Sequence, residues 1–177
     1  MSTIKYPENV ATQLDSWMAK SKPLKLGWTA DAAEDIANSL NVLLANYSIH
    51  FQRLRNYHWN VKGKDFFDLH LEFQTQYLQV LQNIDEIAER IRVFDRTPFS
   101  TMKEYLDTAE LKETGSQLSA DLMVRELLSD YHLLLQYMFA VVEVAMQYSD
   151  AGTEEMIKRF IHSTEKCHWM LSACMAK

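Results

Sequence analysis

Glycine and proline are scarce in this sequence: 177 residues contain four glycines and three prolines. All-β sandwiches and barrels, which turn about every 8–12 residues, do not arise from such a chain. Cysteine is scarcer still. Cys167 and Cys174 lie seven apart in a helical pattern, about 10 Å along the axis, too far to bridge one another. No stretch approaches the roughly 18 apolar residues of a membrane span, and Met1 to Asn9 lacks the apolar core of a secretion signal. A cytoplasmic protein is expected. Basic excess is missing too: 18 Lys and Arg stand against 24 Asp and Glu, a net charge of −6, which argues against bulk electrostatic binding to nucleic acid or anionic membrane. Glycine-rich phosphate loops, Cys-x-x-Cys-His and Gly-x-Ser-x-Gly are also absent, weakening nucleotide, haem and nucleophilic-hydrolase readings.

The remaining composition, 47% hydrophobic and 24% charged, is that of one folded domain. Gly27, Gly63, Gly115 and Gly152 divide the chain into long segments with helical periodicity. The first is expected from Asp31, as N-cap, to Val61, with a stripe of Leu40, Leu44, Tyr47, Phe51 and Leu54. A second runs from Asp65 to Phe94 with Phe66, Phe73, Tyr77, Leu81, Ile84 and Ile91 on one side. The third, Ser116 to Tyr148, carries Leu118, Leu122, Leu127, Tyr131, Leu134, Met138, Val141 and Ala145. A fourth follows Gly152 and continues to Ala173. Helices this long pack best as a bundle. Tight turns make the first and second antiparallel, and likewise the third and fourth. The middle connection, Asp95 to Gly115, is far longer than a plain up-down bundle needs. It includes a short helix over Met102 to Thr108 and permits a crossover, so the expected fold is an all-α, ferritin-like four-helix bundle with a long crossover between the second and third helices. Residues 1–27 form a tail and 28–177 the bundle domain.

Six histidines occur: His50, His58, His70, His132, His162 and His168. Only His58 and His70 are symmetric about the tight turn at residue 64, which puts them level on neighbouring antiparallel helices. Two facing imidazoles suit a first-row transition metal or a shared water. On the second helix Asp85 and Glu89 share a face, either as a solvated acidic surface answered by Arg90 and Arg92 or as metal ligands. His70 and Asp85 are about 22 Å apart along one helix, so one ion reaches both only across an interface. An antiparallel pair of second helices, centred near residues 78 and 79, brings position 70 of one between Asp85 and Glu89 of the other. A two-fold dimer then forms two identical nitrogen and oxygen sites suited to iron. An intrachain di-iron bundle needs two Glu-x-x-His motifs, and the chain has one, Glu165-Lys166-Cys167-His168.

The segments His58-Trp59-Asn60-Val61-Lys62-Gly63, Phe67-Asp68-Leu69-His70 and Asp85-Glu86-Ile87-Ala88-Glu89-Arg90 resemble the Dps family of mini-ferritins. The similarity is concentrated in residues 40 to 95, with a weaker echo at Glu165-Lys166 and Trp169-Met170-Leu171. The resemblance implies a hollow dodecamer that oxidises Fe(II), usually with hydrogen peroxide rather than oxygen, and stores ferric mineral. It implies a di-iron ferroxidase centre with His58 and His70 as ligands from one subunit and Asp85 and Glu89 from its two-fold mate. It also implies an electron-donor role for Trp59, alongside the alternative of a helix-end packing residue. Where the family often has an acid, this chain has Gln74, which weakens the second iron position. Asp150, Glu154 and Glu155 fall where the family places three-fold pore acids, a position equally explained by helix-start acids.

The implied activity is that of a ferroxidase protecting the cell from oxidative damage. The alternatives are a DNA-compacting stress protein and a helical assembly whose polar cluster only fixes an interface. Twelve subunits at −6 each give a shell of −72, while residues 1–27 carry a net of only +2. Binding to DNA is therefore expected to be weak and salt-sensitive.

Overall fold

The computed structural model describes residues 26–175 and contains five helices in that range: α1 (Ala30–Asn60), α2 (Phe66–Val93), α3 (Met102–Thr108), α4 (Ala120–Gln147) and α5 (Ala151–Cys174). The tail expected over residues 1–27 lies almost wholly outside the described residues. Among these helices none is long and apolar enough to cross a membrane.

Local chemistry sets the helix ends. Thr29, not Asp31, caps α1 by accepting the Ala32 N–H at 3.1 Å, leaving Asp31 in the first turn, where its charge suits the helix dipole. The third long helix begins later than expected because Ser119 supplies its cap. Gly152 lies inside the first turn of α5, since Asp150 caps that helix and accepts from Thr153 N–H. The short α3 follows a capping box in which Thr101 and Glu104 satisfy each other's backbone donors.

Side-chain contacts fix the topology. Along α1 and α4, Asp35 meets Tyr148, Tyr47 meets Met138, and Tyr57 meets Glu126. Their numbers run in opposite directions, so these helices are antiparallel. Because α1 is also antiparallel to α2, α2 and α4 run parallel. The chain leaving α2 must therefore travel back along the bundle before α4 begins, which explains the long crossover.

A row of polar residues on α1 guides that return. Glu34 accepts from Arg96 at 2.8 Å, Asn41 from the Phe99 N–H at 2.8 Å, and Asn46 from the N–H groups of Glu110 and Leu111 at 3.1 Å each. Arg53 then donates to the Lys112 carbonyl, and Asn56 to that of Thr114 at 3.0 Å. From position 34 to 56 the row covers about 33 Å of helix. Apart from Glu34, which pairs with the Arg96 guanidinium, its side chains pair backbone groups that no sheet or helix would satisfy.

The α2 stripe differs from the apolar series expected. Leu69, Phe73, Gln76, Val80, Asn83, Ile87 and Ile91 are its buried residues, two of them amides. Leu81 is 48% exposed, and Leu78 and Leu71 are exposed with it. On α4, Leu122 likewise faces outward. The outer side of α2 thus combines exposed leucines with Asp85 and Glu89.

Candidate metal centre

The α1–α2 hairpin brings His58 and His70 together. Their rings stack with centroids 3.8 Å apart and planes 26° from parallel. Each Nδ1 lies 2.8 Å from the other's backbone carbonyl: His58 Nδ1 from His70 O, and His70 Nδ1 from His58 O. A carbonyl only accepts, so both imidazoles carry their proton on Nδ1. Each Nε2 is left with a lone pair, the form in which imidazole binds a metal. His58 O belongs to the last turn of α1, where helix carbonyls lack intrahelical donors, so the pair also closes the hairpin end. His58 is buried and His70 half-buried. Tyr77 packs edge-on against His58 with centroids 5.5 Å apart, while Gln74 stands one turn beyond His70, partly buried.

Asp85 and Glu89 are exposed on the outer face of α2. The arginines expected to answer them point elsewhere. Arg90 runs to Asp150 and Thr153 on α5, and Arg92 donates to the Arg96 carbonyl at 2.7 Å. Among the described residues neither carboxylate forms an ion pair. Glu86, between them in sequence, turns toward α5 and meets Arg159 at 2.8 Å. The His58–His70 pair and the Asp85–Glu89 pair remain separated along α2, and among the described residues no three His, Cys, Asp or Glu side chains of one chain converge to hold a metal.

A second histidine site, missed in the sequence, lies in the middle of the bundle. His50 is completely buried, and its Nδ1 is 2.8 Å from Asp130 Oδ2. Arg53 binds the other oxygen of Asp130. Tyr131 packs against the His50 ring, with centroids 5.3 Å apart, and donates to Gln76. Burial holds the Tyr131 phenol well above its ordinary pKa. Tyr47 is pushed up to about 12, again chiefly by burial. Burial and then the charge of Glu72 raise the Cys167 thiol. His50 and Asp130 lie 80 positions apart, a separation that no local motif reports.

Comparison with known proteins places these features in a lineage. Residues 37–177 match the Ferritin-like domain family. General stress protein 20U of Bacillus subtilis is 35% identical over 80% of this chain and 97% of its own length. DNA protection during starvation protein 2 of Bacillus anthracis is 36% identical over 79% of this chain and 96% of its own. The crystal structure of a Dps protein from Vibrio cholerae, described as a member of a broad superfamily of ferritin-like diiron-carboxylate proteins, superposes with a TM-score of 0.85. It is 33% identical and covers 87% of this chain and 97% of that one. The chain belongs to the Dps family.

In this Dps chain the single Glu-x-x-His motif points away from the bundle's centre. Glu165 is exposed and His168 lies 3.5 Å from Ser172, while Cys167 between them lines the interior. Asp150, a candidate pore acid, is buried and committed to Arg90 and the α5 N-terminus. Glu154 and Glu155 pair with Lys158 and Arg159 one turn on. Capping and helix pairing account for all three acids within the subunit. Trp59 is 56% exposed, with the Arg55 guanidinium 4.8 Å above its ring.

Proposed function

We propose that this Dps-family protein is an iron-sequestering mini-ferritin, a cytoplasmic homododecamer that oxidises Fe(II) at sites shared between two subunits and stores the ferric product. The reciprocal Nδ1–carbonyl bonds of His58 and His70 carry this reading, because they fix two imidazoles as metal-ready acceptors. Asp85 and Glu89 of the two-fold mate complete each site with two anions. Imidazole and carboxylate together form a borderline donor set suited to iron. The exposed Leu71, Leu78 and Leu81 supply apolar surface to the same contact, with Leu78 at its centre, and burial of such surface drives association.

Iron is the substrate. Two Fe(II) ions each lose one electron, and hydrogen peroxide takes both as its O–O bond breaks; oxygen serves as a slower oxidant. His70, Asp85 and Glu89 hold one ion firmly, and the other, near His58, sits beside the neutral Gln74 and is held less tightly. Trp59, exposed beside His58, donates an electron when only one iron is present. Anaerobic Fe(II) titration followed by peroxide and sizing tests the whole reading. It predicts saturable binding, peroxide-dependent oxidation and a mineral-filled particle of dodecamer size. Absence of saturable binding in an intact dodecamer would refute it.

DNA compaction is the second reading, favoured by the DNA-protection name of the Bacillus anthracis relative. A shell carrying −6 per subunit repels phosphate, so retardation of duplex DNA should fade between low and physiological salt.

A further inference from the structure

The centre of the bundle holds a pocket of about 30 Å³, lined by groups that include Tyr47, His50, Gln76, Asn83, Thr164 and Cys167. His50 Nε2 is buried there without a partner, while Nδ1 on the other side of the ring is committed to Asp130. Buried polar atoms in folded proteins almost always find a partner, so an acceptor left bare in a pocket calls for a donor. We infer that this pocket is a solvent-binding site, holding one or two ordered water molecules, one of which donates to His50 Nε2.

Charge selects water over a metal ion. Arg53 already pairs with Asp130, so the carboxylate beside His50 offers no unanswered negative charge. None of the residues lining the pocket is an acid, a lysine or an arginine. A dication would enter this interior with one imidazole, a thiol, amides and hydroxyls to meet it and no anion among the lining residues, and burying such a charge uncompensated is prohibitive. Water is neutral, fits a space of this size and finds several polar partners. It accepts from a hydroxyl or amide while donating to the imidazole, joining α1 to helices that contribute Gln76, Asn83 and Thr164. The inference is independent of the proposed ferroxidase reaction. It gives the middle of the bundle a solvated, metal-free role.

A high-resolution crystal structure of the intact assembly tests it, with data collected at the iron and zinc absorption edges. The expected result is an ordered peak within hydrogen-bond distance of His50 Nε2 and no anomalous signal. Solution oxygen-17 relaxation should detect one or two fewer long-lived waters per subunit in His50→Phe than in the parent. A dry pocket around a well-ordered His50, or an anomalous peak within it, would overturn the assignment. If His50→Phe does not fold, the parent map alone decides.

Discussion

His58 and His50 have the same tautomer in two different settings. At the hairpin end, His58 and His70 direct Nδ1 to backbone carbonyls, and about 22 Å farther along α2 its outer face bears two carboxylates without ion-pair partners among the described residues. In the middle of the bundle, His50 directs Nδ1 to Asp130, whose charge is cancelled by Arg53, and its free nitrogen meets only neutral groups. What separates the two is the charge that can reach Nε2. In the proposed two-fold dimer, anions from a second subunit approach the first pair, whereas His50 Nε2 is confined to amides, hydroxyls and a thiol. On the proposed reading, the hairpin end serves metal chemistry and the bundle centre holds helices together.

Substitutions should separate these roles. Replacing both His58 and His70 with alanine should reduce iron oxidation by at least the roughly 10–100-fold that loss of a ligand-orienting group costs in metal sites, with little change in helix content by circular dichroism. Asp130→Ala should reverse the pattern. It leaves Arg53 charged and unpaired in the interior, at a cost of about 3–5 kcal/mol, measurable by chemical denaturation, while the oxidation rate per folded subunit stays near that of the parent. Equal losses of activity and stability in both variants would erase the distinction between the regions.

The bundle centre should also respond to alkali. Tyr47 ionises near pH 12 in the folded chain and near 10 when unfolded. The unfolded state therefore loses its proton first as pH rises. Stability from this group is complete below about pH 10 and declines through about pH 12, by at most about 3 kcal/mol. Tyr47→Phe should flatten that decline in denaturation curves measured across the range. A smaller effect is expected at the hairpin end: Gln74→Glu adds an anion one turn from His70 and should tighten the weaker iron position, more at pH 7 than near pH 4, where the new carboxyl is largely protonated. Anaerobic calorimetry reads the change directly, and two equally tight positions already present in the parent would remove the assigned importance of Gln74.

The meeting of His58 and His70 was legible because sequence distance maps directly to space there. His58 and His70 flank one short turn, and helical rise alone separates His70 from Asp85. The crossover was legible from its length, and its cause emerged with the parallel course of α2 and α4. Other features depend on contacts that periodicity does not encode. Gln76 and Asn83 occupy buried positions on α2 while Leu81 faces outward, since that helix has one side against the bundle and the other outside it. Asn41, Asn46 and Asn56 look like ordinary polar residues until the returning chain lies beside them. Asp150 shows its structural role only once Arg90, 60 positions earlier, is seen to bind it.

The most direct test of the shared site is complementation between two inactive subunits. His70→Ala and Asp85→Ala chains, carrying different tags, would be coexpressed and assemblies containing both purified. In a mixed two-fold dimer one site loses both residues and the other is intact. Random pairing should therefore restore about a quarter of the parental sites, with peroxide-driven Fe(II) oxidation recovering in proportion. Mixed dimers confirmed by native mass spectrometry, yet no more active than either variant alone, would contradict a metal centre built from His70 of one subunit and Asp85 of another.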